Sequence, residues 1–491
     1  MLNSHQIYEI YNEVQNGDYL IPPNGESIKK PKTGFRPNCV CIEDAFFGDS
    51  GKGSVVAKFN EILNENKNLV TLRFNGGANA GHETLMDGKI VVTHQLPMGV
   101  TCAGAKAIIT RGMLIHPEDL LSEIDSIKEQ FNGTLPGKLI IDERVTLSLD
   151  THRAWESVLN SFTTGGKGST GRGIATGYSS HYLRIPVTLK DLLSDDWEEK
   201  FRKHFKLYSS IISGFGHDYN IADIDVTTFN KNLGQKRKVG TEDTFIERLS
   251  EIREKISGYS SSEVYDILQD CWNNQSIPIT IEGAQGAGLD PYHGVYPDVT
   301  SSRPMSRNLN DATYNVIVPE DIFFRIAVLK TTYLSSVGIR KLPTIKDEGN
   351  EKWIQEKFDE KGRSTGRLRD IYNISLPIAQ YLRRAAGYTH LAATHLDASK
   401  LDNKIKIVTH YTNKITGEEK PYFPYQDYLD NLEAHQIEFE SWDGDQVKNC
   451  HSFEELPIQT KMYLSFLSKT IAPISMVTTG PDINEYIKWN I

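Results

Sequence analysis

Two glycine-rich segments carry the residues best suited to chemistry. Gly48-Asp49-Ser50-Gly51-Lys52-Gly53-Ser54 follows the short apolar run Cys39-Val40-Cys41-Ile42 and precedes VVAKFNEILNEN, which reads as a helix. A glycine turn between strand and helix exposes backbone N–H groups at the positive end of the helix dipole, and Lys52 adds a point charge, so the segment suits phosphate. It is not a Walker A sequence: the first glycine of that motif would fall at Phe46, and Lys52 is followed by Gly53 instead of Ser or Thr. Asp49 is the odd member, because a carboxylate in an anion cradle repels phosphate unless it holds a metal or takes a proton. The structural alternatives are an Asp that caps the helix and a solvated Lys. The second segment, Asn75-Gly76-Gly77-Ala78-Asn79-Ala80-Gly81-His82-Glu83, is built of small residues that let a ligand approach the backbone, and it presents His82.

The elements that must hold these turns are legible as short apolar, β-branched runs: LVTLRF at 69–74, AIIT at 107–110, KLIID at 138–142, IPITIEG at 277–283, RIAVLK at 325–330, HLAAT at 390–394 and ISMVTT at 474–479. Buried strands alternating with helices predict an α/β fold with a large, mostly parallel central sheet flanked by helices, P-loop-like in its nucleotide-binding turn and carrying peripheral insertions. In such sheets ligands gather at the carboxyl ends of the strands, where the glycine segments fall. Residues 1–37 read as an N-terminal extension ending in the linker-like PPNGESIKKPKTGFRP, and 38–491 as one catalytic domain with a charged, helical insertion within about 190–275.

Bulk properties narrow the class. The chain has 491 residues and a net charge of −10, which argues against a nonspecific nucleic-acid binder. Five cysteines without a CxxC pair read as reduced thiols of a cytoplasmic protein. The N-terminus has no apolar signal core, and no stretch approaches the roughly 20 apolar residues of a membrane span.

Seven segments in order resemble the signatures of the adenylosuccinate synthetase family: GDSGKGS, GGANAGHE, STGRGI (169–174), EGAQGAGLDPYHGVYPDVTSS (282–302), STGRLR (364–369), THLD (394–397) and TTGPD (478–482). The resemblance runs from about residue 38 to the C-terminus. It implies a GTP- and Mg²⁺-dependent ligase of purine nucleotide biosynthesis that joins L-aspartate to C6 of IMP through a 6-phosphoryl intermediate. It further implies that Asp49, His82, Lys52 and Gln285 are catalytic, with Asp49 and the Gly81 carbonyl holding Mg²⁺. By the same resemblance Gly48, Ser50, Gly51, Lys52, Gly53, Asp397, Thr479, Gly480 and Pro481 bind GTP. Asn79, Thr170, Gln285, Thr300 and Arg367 bind the nucleotide substrate, joined by Arg184 from the neighbouring subunit of a homodimer. Thr365, Arg367 and Arg369 bind aspartate, since an arginine fork pairs with a carboxylate through two hydrogen bonds.

The sequence departs from the family at several points. Ser50 and Ser54 stand where the family usually has Glu and Lys, Leu368 replaces a third basic residue, and His395 replaces the Lys of TKLD, which bears on GTP against ATP. RPMSRNLNDATYNVIV at 303–318 is bulkier than the family's Gly/Ala-rich segment. That difference opens a second reading, in which the same chemistry acts on a variant purine nucleotide such as dGMP to give a 2-aminoadenylosuccinate compound. A third reading is a non-catalytic nucleotide sensor that has kept the fold.

Overall fold

The computed structural model describes residues 2–17, 36–86, 88–162, 169–215, 220–231, 233–336, 338–344, 348–361, 368–401 and 403–488. Thr365 and Arg367 therefore lie outside the described residues.

Ten strands form the central sheet: β1 (Arg36–Asp44), β2 (Val70–Arg73), β3 (Lys106–Ile109), β4 (Lys138–Asp142), β5 (Ser260–Ser261), β6 (Ile279–Glu282), β7 (Ile322–Lys330), β8 (His390–Thr394), β9 (Ile474–Thr478) and β10 (Tyr486–Lys488). Their spatial order is β5-β4-β3-β2-β6-β1-β7-β8-β9-β10. Every neighbouring pair is parallel except β9 with β10. Eight strands coincide with the apolar runs read from sequence. The two-residue β5 and the antiparallel edge β10 were not anticipated, because neither carries a long apolar run. β2 and β6 are buried along their whole length, as a two-sided parallel sheet requires.

The helix Lys52–Leu63 leaves the first glycine turn and buries Val55, Val56 and Phe59 against the sheet. The region 190–275 supplies the helices Trp197–Ser213, Glu242–Ile256 and Val264–Asn273, and also a hairpin of Asp225–Asn230 with Leu233–Lys238. A second, smaller sheet pairs Lys404–Asn413 with Leu432–Glu440. The N-terminal helix Ser4–Gln15 docks on this side: Ile7 and Val14 join the core that contains Phe439 and Phe466, and Tyr11 donates to the Glu438 carbonyl at 2.8 Å. The bulky 303–318 segment directs Met305, Leu309, Ala312 and Ile317 into the core, while Ser306 donates from N and Oγ to Glu43 at 3.0 and 3.1 Å. Those side chains are engaged in packing. No helix among the described residues is long and apolar enough to cross a membrane.

Candidate active site

Register alone brings the polar strand ends together. Glu282 at the end of β6 is level with Arg73 of β2 and Ile42 of β1, and Lys330 of β7 is level with Thr394 of β8. Arg73 and Glu282 each precede a glycine turn, and Thr394 packs against Gly51 of another.

The first turn is organised by Asp44, the last residue of β1, which is fully buried. Its carboxylate accepts from the N–H groups of Phe46 (2.9 Å), Gly48 (3.1 Å) and Ser50 (3.2 Å), and from Lys52 Nζ at 3.4 Å. Asp44 thus curls the backbone so that the helix starts at Lys52, with Gly51 in the left-handed conformation as its cap residue. Lys52 is buried against Asp44, not solvated. Asp49 does not cap the helix, since the cap position makes no side-chain hydrogen bond. Asp49 adopts φ +59° and is 39% exposed, so the turn projects its carboxylate away from the helix start, to pair with Arg369.

A Cβ placed on Gly53 would lie 2.7 Å from Glu83 N and 2.9 Å from the His82 carbonyl carbon, so only glycine lets the helix start seat against the His82 turn. His82 is buried, and its Nδ1 contacts Glu282 Oε1, while Glu282 Oε2 accepts from Met98 N at 2.9 Å. Burial holds the His82 imidazole down at about 4, with Glu282 pulling the other way. Glu282 itself is buried, yet His82 and Arg73 keep its pKa below the usual value. A carboxylate–imidazole pair fixes ring orientation and leaves Nε2 as the nitrogen for a ligand.

Gln285 sits at φ +60° on the turn after β6. Its Oε1 accepts from Ser302 Oγ at 2.7 Å and Asn75 Nδ2 at 3.4 Å, whereas its Nε2 is buried without a partner. The Asn79 side-chain oxygen is likewise buried and unpartnered. A Cβ on Gly76 would lie 3.1 Å from Gln285 Oε1, which places the two turns in contact. Tyr178 hydroxyl accepts from Gly76 N at 3.1 Å and donates to the Gly112 carbonyl at 2.9 Å, bracing the same turn. Thr300 Oγ1 lies 3.3 Å from Ser302 Oγ and so joins this group. Thr170 is half-buried just before Gly171. Arg184 is exposed at φ +63° beyond the helix Ile174–Tyr182, flanked by exposed Tyr182 and Leu183.

A chain of buried charges runs from Asp49 inward. Arg369 reaches Asp49 at 3.1 Å and Glu360 at 2.6 Å. Glu360 also accepts from Lys330 and, at 2.6 Å, from Tyr333 Oη. Burial would raise the Glu360 carboxyl, but Lys330 and Arg369 hold it at about 2. Burial works against the Arg369 cation, and Asp49 and Glu360 outweigh it. Asp44, Glu282, Lys330, Tyr333 and Glu360 were not singled out from sequence. The first three share one signal that was available: each is a charged residue ending a strand.

The loop after β8 closes the other side. A Cβ on Gly51 would lie 3.6 Å from His395 Cε1, and Thr394 Oγ1 donates to the Ser50 carbonyl at 2.7 Å. Asp397 is buried, raised to about 6 by that burial, with Lys448 Nζ 3.8 Å away. Leu396 N donates to the Thr478 carbonyl at 3.2 Å, joining this loop to the start of the 479–481 turn. Thr479 is buried with its hydroxyl unpartnered, Gly480 packs on the Glu485 carboxylate, and Pro481 is exposed.

An anion-shaped turn at a helix start, a base-like carboxylate, an oriented imidazole and an unpartnered amide at the carboxyl ends of a parallel sheet define an α/β enzyme of nucleotide chemistry. The chain belongs to the adenylosuccinate synthetase family, whose model matches residues 42–487, and it is a carbon–nitrogen ligase of that type. The adenylosuccinate synthetase of Chlorobaculum parvum is 30% identical over 447 residues, covering 90% of this chain and 95% of that protein. The fully ligated adenylosuccinate synthetase from Plasmodium falciparum superposes with a TM-score of 0.78 at 26% identity, covering 92% of this chain and 99% of the other. The cyanophage S-2L succinoaminodeoxyadenylate synthetase, bound to dGMP and dATP, shares the fold at 15% identity and a TM-score of 0.54, covering 93% and 96%.

Proposed function

We propose that the protein joins L-aspartate to C6 of IMP at the expense of GTP, giving adenylosuccinate, GDP and phosphate. The main support is the convergence of the Asp49 turn, the His82–Glu282 pair and the Gln285 amide at adjoining strand ends. O6 of a 6-oxopurine is a poor leaving group, and phosphorylating it converts it to a good one. Asp49 would accept the N1 proton while the electron pair moves to O6. O6 then attacks the γ-phosphorus, the β–γ bridging P–O bond breaks, and GDP departs. His82 would stabilise negative charge on the transferring group through Nε2, and Lys52 with its neighbouring N–H groups would hold the phosphates. The aspartate amine attacks C6 and loses a proton, and the C6–O6 bond breaks to release phosphate.

The Gln285 Nε2 donor would face the purine near its 6-position. Asn79, Thr170 and Thr300 would receive the 5′-phosphate, and Arg369, with Thr365 and Arg367, the carboxylates of aspartate. Among the described residues no three His, Cys, Asp or Glu side chains form a ready-made metal cage. One carboxylate (Asp49) and one carbonyl (Gly81) suit Mg²⁺, an ion that completes its shell with water and phosphate oxygens. When bound it would neutralise phosphate charge. Arg184 would reach the 5′-phosphate of a partner subunit's site.

Release of phosphate from GTP and aspartate, measured with IMP, dIMP, GMP and dGMP in turn, tests the reading. Turnover with IMP is the expected result. Preference for dGMP would move the assignment to a variant purine, and no turnover with any of the four would leave a nucleotide sensor.

A further inference from the structure

The helix Lys52–Leu63 buries an ammonium group for which the mechanism above has no use. Lys58 is fully buried, with its Nζ 5.9 Å from the centre of the Tyr486 ring. Its Nζ donates to Ser54 Oγ at 2.9 Å and to the Asp482 carbonyl at 2.6 Å. Both acceptors are neutral oxygens, and burial holds the ammonium down at about 8 although Asp482, Glu485 and Glu61 favour its charge. A buried ammonium is unfavourable unless something holds it there, so an apolar residue would serve a purely packing role better.

The partners give it a role. Ser54 lies on the first turn of the phosphate-facing helix, one helical turn before Lys58. Asp482 belongs to the turn that follows β9. That turn is folded by Glu485, which accepts from Asp482 N at 2.8 Å and packs its carboxylate against Gly480. Its far side pairs with the strand of the His82 hairpin, where Ile483 N donates to the Leu85 carbonyl at 3.0 Å. Lys58 thus links the phosphate-facing helix to this turn.

We propose that Lys58 is a positioning residue for the nucleoside triphosphate, fixing the 479–485 turn against the phosphate-binding helix so that base and phosphates are held at one spacing. The inference rests on the reading of that turn as a wall of the triphosphate's base.

Direct binding of GTP and of ATP to the full chain, with steady-state kinetics of the same preparations, tests this. Lys58→Met should weaken GTP binding by about tenfold or more, the scale of a lost charge-assisted hydrogen bond. At saturating GTP, kcat and the KM for aspartate should stay within about twofold. Ser54→Ala, which removes one of the two acceptors and is isosteric enough to fold, should shift GTP affinity in the same direction by a smaller factor. A merely structural role predicts less active protein, hence lower kcat, with unchanged GTP affinity in the active fraction, and that result would overturn the assignment. Wild-type protein that binds GTP while both variants bind it equally well removes Lys58 alone. Wild-type protein that binds neither triphosphate removes the proposed function and this inference together.

Discussion

Arg369 holds the Asp49 carboxylate at 3.1 Å, so the proposed proton acceptor and a proposed aspartate ligand are ion-paired to each other in the structure. A carboxylate of the incoming amino acid would compete with Asp49 for the same guanidinium. Binding of aspartate and freeing of Asp49 are then one exchange.

That exchange separates two variants. Asp49→Asn should lower kcat by about 10²–10⁴, the usual contribution of general base catalysis, with GTP affinity changed only a few-fold. Arg369→Ala should instead raise the KM for aspartate about 10–100-fold, more than it raises the KM for GTP. Steady-state kinetics on both variants decides the matter. Equal effects on the two substrates would argue that Arg369 serves only the fold.

Glu360 sits between Arg369 and Lys330 and is almost completely buried. Glu360→Gln leaves the buried Lys330 ammonium without a counter-charge and should destabilise the protein by about 3–5 kcal/mol. The folded pKa of Glu360 lies near 2, below its unfolded value of about 4.3. Its contribution is therefore complete above about pH 5 and is lost as pH falls through 2. Thermal unfolding of wild type and variant from pH 7 to pH 3 should show the gap between them narrowing only at the acid end. A gap of constant size would sink the linkage.

His82 carries a constraint set by its partner. Glu282 is ionised and accepts only, so Nδ1 bears the proton, and Nε2 donates only when the ring is an imidazolium. Burial keeps the free ring neutral at pH 7, with its pKa near 4. A phosphoryl anion beside Nε2 reverses that balance, so triphosphate binding at pH 7 should take up about one proton. Calorimetry in buffers of different ionisation enthalpy measures this directly. His82→Asn should abolish the uptake, and a wild-type protein that binds GTP with none would rule out His82 as a cationic donor.

The glycine turns and the parallel sheet were legible because both are written in contiguous residues: Gly48 to Ser54, Asn75 to Glu83, and apolar runs such as KLIID and HLAAT. The partners of the functional side chains were not. His82 and Glu282 are 200 residues apart in sequence and meet only because β6 inserts between β1 and β2. Sequence spacing says nothing of that insertion. Asp44 was passed over as the end of a strand, although its carboxylate shapes the turn that follows it. Glu360 and Lys330 form a buried pair, and neither belongs to a motif. The bulk of 303–318 is visible in the sequence, but the placing of its apolar side chains Met305, Leu309, Ala312 and Ile317 in the core is not.

As the proposed reader of guanine, Asp397 would tie pH to nucleotide choice. A carboxylate accepts from guanine N1 and N2 only when ionised, and burial raises this one to about 6. At pH 5 about one-tenth of it is ionised, so the KM for GTP should rise roughly tenfold between pH 7.5 and pH 5. Asp397→Asn should flatten that profile and erase the preference for GTP over ATP. A GTP profile that keeps its acid limb in the variant would place the titration elsewhere.

Arg184 is exposed, beside Tyr182 at 75% and Leu183 at 64%. An exposed apolar pair around a lone cation fits a surface that a second subunit covers, with the guanidinium completing the neighbour's phosphate pocket. Arg184→Leu and Asp49→Asn would each inactivate a homodimer, since every site then lacks one part. Unfolding and refolding an equal mixture should recover about a quarter of wild-type activity, because half the dimers are mixed and each mixed dimer has one complete site. Full-length protein of each variant, refolded alone, supplies the baseline. Recovery no higher than that baseline, with both variants dimeric by sedimentation, would mean that Arg184 acts within its own chain or not at all.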